Sequence, residues 1–240
     1  MKDFSNLLSD LILTSSRNRK LSLLEQYFSS TPDPDRGYAL AALTGSLSFK
    51  NIKASFFKDL IKEKQDEHLF DLSYDYVGDL AETISLLWDQ EKSGNMPRLS
   101  SLFENLKKAK NDELRNHIIN ILNISTADQR WAFIKLFTGG LRIGVSSRLV
   151  KQALANYGNV DLEEIEKIWH GLQLPYTNLF SWLENKGSKP KISIYDIFHP
   201  MMLAHPLVME KDLAAANPKD FVAEYKWDGI RVQIVSHSKG

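Results

Sequence analysis

The sequence contains no cysteine, which excludes disulfides and thiolate zinc sites and is compatible with a reducing cytoplasm. It carries no net charge either, because thirty basic residues balance thirty acidic ones. Overall charge therefore argues neither for nor against a nucleic-acid partner, and any such surface has to be a local patch. No segment approaches the ~20 apolar residues that span a membrane. The N-terminal run Leu11-Ile12-Leu13 follows Asp3 and Asp10 and precedes no small-residue cleavage signal, so it does not read as a secretion signal. No histidine pair has metal-ligand spacing, and His199 and His205, each before a proline, read as loop residues. A cytoplasmic protein is the expectation. What is present is a chain of 240 residues, 43% hydrophobic and 25% charged. That is the composition of a globular protein with a sizeable core, organised as one large domain or as one domain and part of another.

Strand-like alternation is absent from the first 187 or so residues, and nearly every segment there repeats its apolar residues at three and four. Phe4, Leu7, Leu8, Leu11 and Ile12 form one such face, and Leu21, Leu24, Tyr27 and Phe28 the next. Thr31-Pro32-Asp33-Pro34-Asp35 is a turn that opens a helix through Tyr38, Leu40, Ala41 and Leu43. Gly78-Asp79 starts a helix whose apolar face is Leu80, Ile84, Leu87 and Trp88, with Asp79 capping or charging its first turn. Two helices follow between Arg98 and Asn123, the first with Lys107, Lys108 and Lys110 as a solvated face. Thr126-Ala127-Asp128-Gln129 is a capping box before a helix with Trp131, Ile134 and Phe137 inward. Segments 161–172 and 178–186 complete an all-helical domain of about a dozen helices, residues 1–187. Lys186-Gly187-Ser188-Lys189-Pro190 is polar and breaker-rich and reads as a linker. Residues 188–240 then form a linker and a short β-containing unit.

Two stretches carry chemistry. The first is Leu136 to Ala155, LFTGGLRIGVSSRLVKQALA, in which Gly139, Gly140, Arg142 and Gly144 precede Ser146-Ser147 at the start of a helix burying Val150, Ala153 and Leu154. Glycines let backbone approach a ligand closely, and a helix N-terminus offers unpaired N–H groups to an anion. From Thr138 to Gly158 the charged residues are Arg142, Arg148 and Lys151, with no acid among them, which makes a local basic patch. The same stretch also reads as a plain helix connection with a glycine cap.

The second stretch is Glu224-Tyr225-Lys226-Trp227-Asp228-Gly229-Ile230-Arg231. Residues 221–226 alternate as a strand does, Asp228-Gly229 turns the chain, and Ile230, Val232 and Ile234 resume the pattern, which predicts a hairpin with Lys226 at a strand end. A lysine amine titrates near 10.4, so a nucleophilic lysine needs desolvation or neighbouring positive charge, which Arg231 and a divalent ion on a polyphosphate could supply. A bare Lys-x-Asp-Gly is also an ordinary hairpin turn. Glu224 two before the lysine and Arg231 five after it make the pattern far less common.

With those residues, the stretch resembles motif I of the covalent nucleotidyltransferases, the DNA ligases, RNA ligases and mRNA capping enzymes. The resemblance implies that Lys226 takes AMP, that Glu224 reads the adenine amino group, that Arg231 contacts the ribose, and that Asp228 and Gly229 shape the turn beneath. Leu141-Arg142-Ile143-Gly144-Val145 is similar to a run in the helical DNA-binding domain of archaeal and eukaryotic replicative ATP-dependent DNA ligases. Gly78-Asp79-Leu80 with Glu82 also resembles that domain, with Glu82 structural. Pro200-Met201-Met202-Leu203-Ala204 resembles the entry to the adenylation domain, with one extra methionine. By this resemblance Gly139, Arg142, Gly144 and Ser146 contact phosphates or sugars, with Arg148 and Lys151 in the same basic patch.

The implied partner is nicked double-stranded DNA, with no membrane, ATP as nucleotide donor and Mg2+ to neutralise phosphate charge, in a monomer. Only nine residues follow Arg231, so the later nucleotidyltransferase motifs are missing and the expectation is a chain that binds DNA but does not ligate. A free-standing helical DNA-binding module without nucleotidyl transfer is the alternative, and a helical scaffold without DNA affinity a third.

Overall fold

The computed structural model describes the chain except residues 48, 50, 51, 90–93, 139, 194–205, 230, 231 and 233–240. Twelve α-helices lie before residue 187 among the described residues. In chain order they are α1 Lys2–Leu13, α2 Arg17–Ser30, α3 Asp35–Leu43, α4 Ala54–Lys62, α5 Glu67–Val77, α6 Leu80–Leu87, α7 Leu99–Lys108, α8 Asn111–Ile124, α9 Ala127–Lys135, α10 Ser147–Gly158, α11 Leu162–Ile168 and α12 Thr177–Leu183. Their starts are set locally. Side chains of Ser16, Asp66, Asp79 and Ser146 accept a backbone N–H of the first turn, and Thr126 with Gln129 closes the capping box in both directions. Gly78 ends α5 in the left-handed conformation that glycine adopts without strain.

The apolar faces close on one core. Phe4, Phe28, Phe57, Phe70, Phe133 and Phe180 are fully buried, and each contributes about 1.5–3 kcal/mol by leaving water. Helix α10 packs along α2 and also against α11 and α12, while α9 packs against α1 and α6. Buried charges tie these layers together. Arg36 at the start of α3 bonds Asp33 and Glu184 and lies 4.2 Å over the Phe180 ring, linking the α2–α3 turn to the end of α12. Lys135 at the end of α9 pairs with Asp79, the cap of α6. Arg130 donates to the carbonyls of Ser85, Trp88 and Ser125, which satisfies helix-end acceptors that would otherwise be orphaned in the core.

Two expectations need correction, and a third is not met among the described residues. Ile12 is 47% exposed and does not belong to the core as its helical spacing predicts, while Trp131 packs against the core but stays half-buried. Met209–Ala215 is a further helix, α13, in the part of the chain that the sequence reads as a linker and a short β-containing unit. Its Glu, Lys, Leu and Ala residues favour helix, and the Asp212 carboxylate accepts the Val208 N–H at 2.8 Å. Finally, no strand occurs among the described residues, and 221–228 form none. Alternation alone does not make a strand, because the backbone groups need a paired neighbour; Phe221, Val222, Tyr225 and Trp227 are all exposed. Ile230, Ile234 and the Pro200–Ala204 junction lie outside the described residues. Among the described residues no helix is long and apolar enough to cross a membrane.

Candidate nucleic-acid interface

Helix α9 ends at Lys135, a short turn follows, and the chain reaches α10 through residues 140–146. Ile143 is the anchor of this loop, 4% exposed and packed into the core. The backbone on either side turns through the left-handed region, with φ of 120° at Gly140, 49° at Arg142 and 65° at Gly144. For an arginine that conformation costs roughly 1–2 kcal/mol, and such strain persists where the surroundings impose it.

The surroundings here include a buried lysine. Lys20, one turn into α2, is 8% exposed and donates from Nζ to the carbonyls of Ile143 at 3.1 Å and Gly144 at 2.9 Å. A Cβ at position 144 would stand 2.6 Å from that ammonium and force it to shift, and the φ of 65° itself favours glycine there. Thus the ammonium fixes the loop from below while Arg142 and Gly144 stay exposed above.

Ser146 then caps α10 by accepting the Leu149 N–H at 3.2 Å. Arg17, Lys20, Gly144 and Ser146 share the lining of an open cavity of about 540 Å³ between the starts of α2 and α10. Neither helix has an acid in its first turn; α2 instead begins Arg17-Asn18-Arg19 and α10 Ser147-Arg148. Two positive helix ends and the Arg17 side chain thus face one opening, an arrangement whose chemistry is anion binding.

The basic patch is less uniform in space than in sequence. Glu166 of α11, 7% exposed, reaches Arg148 at 3.6 Å. Lys151 is half-buried and lies 5.0 Å over the Trp169 ring. Burial lowers its ammonium pKa, Glu166 opposes that shift and Arg148 adds to it. Arg142 is thus the one of the three with no acidic neighbour among the described residues. Gly139 lies outside them.

Sequence reasoning missed Lys20 and Arg17, although a signal was present. Ser15-Ser16-Arg17 repeats the Ser146-Ser147-Arg148 tripeptide, and both open a helix. The second predicted site is not assembled among the described residues. Glu224, Lys226, Asp228 and Gly229 are exposed in an irregular segment, and Arg231 lies outside the description. No three acidic or histidine side chains converge among the described residues, so no metal-holding set is found in them.

A helical domain with one basic, glycine-turned loop between two helix starts is thus the class of protein in hand. The family described as DNA ligase N terminus matches residues 1–155, and the chain belongs to that family. Over 129 residues it is 28% identical to the DNA ligase of Nitrosopumilus maritimus (strain SCM1), a match that takes in 51% of this chain and 22% of that ligase. The chain thus spans about a fifth of that relative's length. The loop from Gly140 to Ser146 lies inside the family match, and the Lys226 stretch lies beyond it.

Proposed function

We propose that this chain is the DNA-gripping part of an ATP-dependent DNA ligase and that its 140–148 loop holds the backbone of nicked duplex DNA. The observation that carries the reading is the strained Arg142, free of acidic neighbours and held outward by Lys20 beside two acid-free helix starts. Arg142, the Gly144 backbone and Ser146 contact phosphates or sugars, and Arg148 and Lys151 add attraction that Glu166 partly offsets. Gly139 belongs with them by its place in the sequence. Contacts of this kind position a duplex without reading its sequence, which suits an enzyme that acts at any nick.

We further propose that Lys226 is the residue that takes AMP from ATP, with Glu224 and Arg231 holding adenine and ribose and Asp228-Gly229 shaping the turn. Membership of the ligase family and the Glu-x-Lys-x-Asp-Gly-x-Arg pattern support this reading. Magnesium would neutralise phosphate charge, though no metal-holding set is found among the described residues. Titration of nicked, intact and single-stranded DNA of one sequence at two salt concentrations tests the first proposal, which expects salt-sensitive duplex binding. No binding by folded protein would sink it. A DNA-binding module without nucleotidyl transfer is the second reading, supported by a family match that covers residues 1–155 and stops short of Lys226. Labelled AMP on Lys226, lost in Lys226→Ala, would exclude that reading.

A further inference from the structure

Three helices carry their apolar pattern further than the core uses it. Ile12 extends the Leu8 and Leu11 stripe of α1 yet is 47% exposed, Leu13 beside it is 85% exposed, and Leu86 on α6 is 66% exposed. Trp131 on α9 is half-buried. These four side chains meet around one cavity of about 360 Å³ between the end of α1, the body of α6 and the start of α9. Large exposed apolar groups gathered in one place mark an interaction surface.

The charge of this cleft narrows the occupant. Its charged lining residues are Glu82 and Asp128, both exposed, with no cationic partner among the described residues. Two carboxylates repel a phosphate backbone, so the cleft is no extension of the DNA surface. A small molecule would leave much of the open Leu13 and Leu86 walls wet, whereas ligand sites bury most of their ligand. A second copy docked by two-fold symmetry would bring the same carboxylates back face to face.

We propose that this cleft docks an amphipathic peptide segment of a partner protein, whose bulky apolar side chains seat against Ile12, Leu13, Leu86 and Trp131 and whose lysines or arginines lie beside Glu82 and Asp128. A helix laid in a helix-lined groove with anchors three and four apart fits these walls. The inference is independent of the DNA-binding reading.

Short random peptides displayed on phage are selected against the 240-residue chain, with Leu86→Glu for counter-selection. Leu86 is exposed, so that substitution leaves the fold intact. The expected result is peptides that pair bulky apolar residues with Lys or Arg, bind about tenfold or more weakly to Leu86→Glu and to Asp128→Lys, and leave duplex-DNA binding unchanged. Selection of no peptide, or of peptides lacking basic residues, would overturn the proposal. So would binding indifferent to both substitutions, or a concentration-dependent dimer of the chain alone that Leu86→Glu abolishes.

Discussion

The Lys20 ammonium and the Gly144 carbonyl lie 124 positions apart in sequence and 2.9 Å apart in space. This contact joins the first turn of α2 to the loop before α10, and it makes the loop's shape depend on a nearly buried residue far away in the sequence. A buried ammonium on two carbonyls also leaves its charge beneath a surface proposed to hold phosphates. Lys20→Met removes the donor of both hydrogen bonds and should cost about 1–3 kcal/mol of stability.

The same substitution should uncouple Arg142 from DNA. In the wild-type background Arg142→Ala should weaken duplex binding by roughly tenfold, and in the Lys20→Met background by far less, because the loop no longer holds the arginine outward. Anisotropy titrations of the four proteins give the coupling. Additive losses would mean that Lys20 acts on stability alone. Gly144→Ala attacks the same contact from the other side, through a strained φ and a Cβ too close to the ammonium.

Asp79 serves two elements at once, as the cap of α6 and the partner of the nearly buried Lys135. Burial would raise its carboxyl pKa, but the Lys135 hydrogen bond and the Glu82 amide outweigh burial and hold it below the ordinary carboxylate value. Asp79→Ala should therefore cost about 3 kcal/mol or more, since it also strands the ammonium. Asp79→Asn keeps a capping oxygen and should cost less. Urea denaturation of both variants checks the order.

Acid should loosen the joint between α3 and α12. Hydrogen bonds from Arg36 and Lys186 lower the Glu184 pKa from 4.5 to about 2. Between those values the unfolded chain binds the proton and the folded chain does not, so this stabilisation is present above about 4.5 and is lost as pH falls towards 2. Thermal unfolding of wild type and Glu184→Gln should diverge at neutral pH and converge in that window. An unchanged gap from neutral pH down to pH 2 would contradict the assignment.

The helical architecture was legible because its signals are local. Asp79, Thr126 and Ser146 cap the helices that their spacing predicts, and the Leu21 to Phe28 stripe is buried throughout. What escaped the sequence depends on distant neighbours. Glu166 beside Arg148 comes from another helix, and Lys20 reaches its loop across most of the domain. Ile12 and Trp131 carry the right spacing for a core, but no neighbouring element covers them fully. Periodicity tells which face a residue occupies and not how far the neighbouring helix extends over it. The alternating 221–226 segment shows the same limit for strands, whose existence depends on a partner.

The most direct test of the account is the salt dependence of duplex binding by wild type and Arg142→Ala. If Arg142 neutralises a phosphate, the variant's plot of log affinity against log salt should be shallower by about one unit of slope, with the fold unchanged by circular dichroism. An equal slope in the two proteins would contradict the account, and the loop between α9 and α10 would then be only a connection between helices.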